Sequence, residues 1–195
     1  MHFHSDGLYH IYNRGNQKQI IFFNDENYRY FLKKMRKELT PYCDILSYCL
    51  MPNHFHWLVK IKPNYSSDDF ESSDELNHPL SKGIAVLLRS YTRAIQKQEN
   101  FTGSLFQQKT KSKEIIDERQ LLTCANYIHQ NPVNAKLVGK MENWQFSSFQ
   151  DYCEIRNGNL CNRNLFYELT GIDPKTDFYT LSYNSFTDEQ RKLLF

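Results

Sequence analysis

No uninterrupted apolar run in this chain approaches the roughly 20 residues that a membrane-spanning helix needs. The first residues, MHFHSDGLYH, lack the basic stretch followed by an apolar one that marks a secretion signal. The five cysteines, Cys43, Cys49, Cys124, Cys153 and Cys161, are odd in number and form no C-x-x-C pair. That excludes zinc-finger spacing and argues against a disulfide framework, so reduced thiols in the cytoplasm are expected. No GxxxxGK[ST] phosphate loop is present either, so nothing points to chemistry driven by nucleotide hydrolysis.

What is there suits one domain, with room for an appended element. A chain of 195 residues can bury a sizeable core. Its net charge of +2 hides an uneven distribution. Residues 63–81 contain Asp68, Asp69, Glu71, Asp74 and Glu75 and no Lys or Arg. Residues 82–115 contain Lys82, Arg89, Arg93, Lys97, Lys109, Lys111 and Lys113 against Glu99 and Glu114. A solvated face is the plainer account of such a run on charge alone. A phosphate backbone is the functional one.

The stretch LYHIYNR alternates like a strand at about 8–14 and is followed by turn residues. Asn24 can cap a helix whose Tyr28, Phe31, Leu32, Met35 and Leu39 share one face. CDILSYCLM and NHFHWLVKIK read as two strands of a hairpin meeting at Pro52–Asn53. An acidic mobile loop at about 63–79 precedes a second amphipathic helix at about 81–99. The stretch SLFQQKTKSKEII alternates well enough for a fourth strand, and a third helix is expected from the Asp117 cap to Pro132, which should bound it. The fold class is therefore α+β, in the ferredoxin-like order β-α-β-β-α-β with an added C-terminal helix. Both early helices should cover one face of the antiparallel sheet and leave the other free.

Two histidines stand one residue apart in YCLMPNHFHWLVK. Strand side chains alternate, so His54 and His56 point to one face, with Phe55 and Trp57 opposite. Two imidazoles on one face can bind a metal ion, but they can equally be core residues, and His2 and His4 repeat the spacing at the N-terminus. The third helix offers Tyr127 and Asn131 at i, i+4. A phenol is a candidate nucleophile and a carboxamide oxygen a candidate ligand. Periodicity alone does not single out Tyr127 among 13 tyrosines.

The pair YCLMPNHFHWLVK and ANYIHQNPVNAKLV resembles the single-tyrosine HUH transposases, and within them the REP-associated tyrosine transposases. YHIYNRGN, FTGSLFQQKTKS and WQFSSFQDY extend the resemblance over about residues 8–153. It implies a transposase domain over 1–153 and a C-terminal extension, 154–195, without a matching motif. It implies a metal-dependent endonuclease and strand transferase on single-stranded or hairpin DNA, with a 5′-phosphotyrosine intermediate. Tyr127 would be the catalytic nucleophile, and His54, His56 and Asn131 the ligands of a divalent metal ion, Mg or Mn. Arg14, Arg89, Arg93, Lys109, Lys111 and Lys113 would bind DNA, and Tyr9, Tyr12 and Trp57 could stack bases. The family includes monomers and homodimers, some exchanging the tyrosine helix between subunits. A non-catalytic hairpin-binding protein and a metallo-hydrolase using a metal-bound water are the competing readings.

Overall fold

A computed structural model describes residues 1–63, 78–174 and 178–183. The expected acidic loop falls almost wholly outside the described residues. The alternating segment forms β1 (Leu8–Arg14). Asn24 caps α1 (Asp25–Glu38), its side chain accepting from the Asn27 amide. Strands β2 (Cys43–Met51) and β3 (His54–Ile61) follow, hinged at Pro52 and Asn53. Helix α2 (Pro79–Glu99) starts slightly before the expected position, because the His78 ring caps it and Pro79 occupies its first turn. Then come β4 (Lys111–Ile115) and α3 (Glu118–Asn134), the latter capped by Asp117.

The chain is thus α+β with a four-stranded antiparallel sheet, in the spatial order β2-β3-β1-β4. The two central strands pair Arg14 with His54, Tyr12 with His56 and His10 with Leu58. On one face Phe55, Trp57, Val59 and Ile11 pack under Phe31 and Met35 of α1 and Leu87 and Tyr91 of α2. The two helices approach closely at Gly83, where a Cβ would lie 2.2 Å from the Glu38 carbonyl oxygen.

The opposite face is not free, contrary to the sequence expectation. Leu46, Met51, Leu58 and Ile115 pack against Leu121, Ala125 and Ile128 of α3. Phe149 of α4 (Phe149–Tyr152), Phe166 of α5 (Arg163–Thr170) and Phe178 of α6 (Phe178–Ser182) complete this second core. The reason is visible in β2, which is apolar on both faces and buried along nearly its whole length. Such a strand needs cover on both sides.

Two further expectations are corrected. Strand β4 begins only at Lys111, although Phe106 bridges Gly15 and the Gln107 amide donates to the Arg14 carbonyl. Residues 108–110 leave the ladder because the buried Asn13 amide takes their place, donating to the Gln107 carbonyl (3.2 Å) and Thr110 Oγ1 (2.9 Å). Helix α3 also runs through Pro132. That proline removes a single donor, in the last turn, and the ladder resumes at once from the Ala135 amide to the Asn131 carbonyl (2.9 Å).

The C-terminal part is stitched to this core. The Asp151 carboxylate is buried and accepts from Arg156 Nε (2.6 Å) and Nη2 (2.8 Å) and from the Gly158 amide (3.0 Å). Helix α6 docks on α3, where Asn126 and Gln130 donate to the carbonyls of Leu181 and Ser182.

His129 of α3 is fully buried beside the Ser148 hydroxyl (2.8 Å), and burial pushes its pKa down to about 3. The unfolded chain then binds a proton below about pH 6.5 that the folded chain refuses, so stability falls as pH drops through that window. Between pH 7 and pH 5 this one group costs about 2 kcal/mol. Urea midpoints at the two pH values should show that loss in the wild type and a smaller one in His129→Gln. An equal loss in both would mean that His129 is not its source.

Candidate active site

The His-bearing face of the sheet meets α3 at a cavity of about 380 Å³. Tyr12 and Arg14 of β1, His54 and His56 of β3, and Tyr127 of α3 line it. The register explains the grouping. Residues 10, 12 and 14 of one strand and 54, 56 and 58 of the next fall on the same face of adjacent strands. Tyr127 comes from the same chain, its ring edge-on to that of His56 with centroids 5.6 Å apart. The Leu121, Ala125 and Ile128 face of α3 is buried in the second core, which turns Tyr127 toward the histidines.

Each histidine is held through Nδ1. His54 Nδ1 lies 2.7 Å from Asn53 Oδ1, and His56 Nδ1 lies 2.9 Å from His10 Nε2. His10 is fully buried and was not among the sequence-derived site residues. Its position at i, i+2, i+4 with Tyr12 and Arg14 was the available signal. Burial lowers the His54 pKa to about 4, helped by the Arg14 charge and opposed by a hydrogen bond with Asn131. Burial also holds His56 well below the usual histidine range, with His10 and His54 adding to the effect.

Neutral imidazoles are the form that binds a metal ion. Among the described residues no group of three or more His, Cys, Asp or Glu side chains is placed to hold one. The available donor set is instead two imidazoles and a carboxamide. Asn131 donates its Nδ2 to the Tyr127 carbonyl (2.8 Å), and the same side chain hydrogen-bonds His54. This set fits a divalent ion, since imidazole and carboxamide oxygen are both ordinary ligands. Neighbours that fix ring orientation commonly set metal affinity. His10→Ala should therefore weaken manganese binding about 10- to 100-fold, read by titration calorimetry. Unchanged affinity would show that packing alone orients His56.

The predicted cations divide by position. Arg14, Lys109 and Lys111 line the cavity, and Arg14 Nε is buried without a hydrogen-bond partner among the described residues. Lys111 Nζ sits 5.8 Å from the centre of the Tyr12 ring. Lys113 is exposed further along β4, and Arg89 and Arg93 are exposed on α2, across the sheet edge. Of the three aromatics suggested for base stacking, only Tyr12 faces the cavity. Tyr9 and Trp57 are buried under α1 and α2, because odd positions of β1 and β3 face that core.

Comparison with known proteins adds two findings. The family model described as "Transposase IS200 like" matches residues 4–131. Among solved structures, one described as "Structure of the REP associates tyrosine transposase bound to a REP hairpin" superposes with a TM-score of 0.59 at 15% identity. The match covers 83% of this chain and 91% of that one. No curated protein matches the chain by sequence. Among the described residues no helix is long and apolar enough to cross a membrane.

Proposed function

The chain belongs to the IS200-like transposase family, and on that premise we propose that it cleaves and rejoins single-stranded DNA next to a hairpin through a covalent 5′-phosphotyrosine on Tyr127. Membership makes it a DNA-binding protein of DNA transposition. The nucleophile, the ligands and the DNA form are our reading. The observation that carries it is the approach of Tyr127 to His56, within one chain and over a cavity edged by Arg14, Lys109 and Lys111. We read the topology as ferredoxin-like, with α3 added to deliver the tyrosine, and residues 154–195 as an extension whose described helices, α5 and α6, brace α3.

In this reading Arg14, Lys109 and Lys111 hold the backbone of the strand and neutralise its charge. The place of Arg14 in the cavity wall supports the assignment, since a guanidinium there suits an anionic ligand. Asn53 and His10 keep the two imidazoles turned to the cavity. A divalent cation, Mg or Mn, held by His54, His56 and Asn131 would polarise the scissile phosphate and stabilise its developing charge. The Tyr127 oxygen attacks phosphorus and loses its proton, the bond from phosphorus to the 3′-oxygen breaks, and that oxygen leaves as a 3′-hydroxyl. The phosphotyrosine ester conserves the bond, so another 3′-hydroxyl can displace Tyr127 and join the strands.

The test is to incubate the protein with a labelled hairpin oligonucleotide and manganese, then denature and separate. A labelled band at the mass of protein plus DNA is the expected result. Cut DNA without that band would favour hydrolysis by a metal-bound water, and binding without cutting would favour a non-catalytic role.

A further inference from the structure

We propose that the DNA strand leaves the His54/His56 cavity over the edge of β4 and continues in a second groove beneath α2, where Arg89 holds a backbone phosphate. This rests on the reading of the first cavity as a DNA site. The second groove has a volume of about 420 Å³ and lies between α2 and residues 104–110. The two spaces share Asn13, Gln107 and Lys109 as walls, so they adjoin where residues 108–110 leave the sheet. Bulges at a sheet edge commonly end pairing and redirect side chains beside an active site. Here the departure is held in place by Asn13, whose amide bonds Gln107 and Thr110.

The walls suit a single strand. Lys109 stands at the crossing and Arg89 beyond it, both exposed and neither in an ion pair among the described residues. Ala85, Leu88 and Phe106 supply an apolar shelf against which a base or sugar can lie. Ser81, nearly fully buried, lines the same groove with its hydroxyl lacking any partner among the described residues. A phosphate backbone accounts for the cations and the continuity with the first cavity together.

The experiment compares oligothymidylates of about four and about twelve nucleotides, the shorter fitting one cavity and the longer able to span both. Affinity is measured by fluorescence anisotropy with the full chain in EDTA, so that no cleavage intervenes. The wild type should bind the longer DNA at least ~10-fold more tightly. Arg89→Ala should lose about 5-fold or more on the longer DNA only and reduce the salt slope by about 0.7, the loss of one single-strand phosphate contact. Ala85→Trp, which fills the groove without removing charge, should abolish the same length gain. No length gain in the wild type, or an equal loss on both lengths in either variant, would overturn the proposal. Adduct formation by Tyr127 is read separately, so a missing adduct with an intact length effect would reject the nucleophile and keep the groove.

Discussion

Tyr127→Phe should lose the covalent protein–DNA adduct by at least ~10³-fold while leaving the fold and DNA affinity nearly unchanged. The substitution removes one oxygen atom. The ring that meets His56 edge-on remains, and the buried Leu121, Ala125 and Ile128 face that seats α3 is untouched. What is lost is the phenol oxygen that we propose as the nucleophile. A loss of 10³ corresponds to about 4 kcal/mol of transition-state stabilisation. Three readouts separate the readings: adduct yield, DNA affinity in EDTA and thermal midpoint. If the phenylalanine variant still forms the adduct, the nucleophile is another residue. If it cuts DNA at the wild-type rate without an adduct, the reaction is hydrolysis.

The second large effect concerns the histidines. His56→Ala should reduce metal-dependent adduct formation by about 10³-fold or more and remove measurable manganese binding. His54→Ala should do the same, and the double variant should be no worse than either single one, because ligands of one ion act as a unit. His56 is buried between His10, Tyr12 and Tyr127, so its removal also leaves a cavity, costing about 1–3 kcal/mol of stability. Binding of DNA in EDTA controls for that, since Arg14, Lys109 and Lys111 stay in place and should keep affinity within a few-fold. Losses that multiply in the double variant would mean that the histidines act separately, for example in phosphate binding or proton transfer.

Much of the secondary structure was legible because its signals are local. Asn24 and Asp117 cap the helices expected of them, and Pro52–Asn53 turns the hairpin. The errors came from interactions between distant segments. Asn13 lies far along the chain from Thr110, yet its side chain decides where β4 begins. Pro132 reads as a helix terminus locally, but here it sits in the last turn, where one missing donor is tolerated and its ring is buried. Residue type alone suggests Tyr9 and Trp57 for base stacking, whereas their strand parity sends them into the core.

The candidate site divides in the same way. The His54–Phe55–His56 spacing and the i, i+4 pair Tyr127 and Asn131 stand in the sequence, because strand and helix periodicity set which residues share a face. The resemblance of the flanking motifs then pointed to the family. Periodicity carries no information on which faces meet, since that depends on burial of apolar surface across segments remote in the chain. Only the tertiary structure brought α3 onto the second face of its own sheet, drawn there by the two-sided apolar strand β2. It likewise set His10 behind His56 and joined Lys109 to Arg89 across the β4 edge.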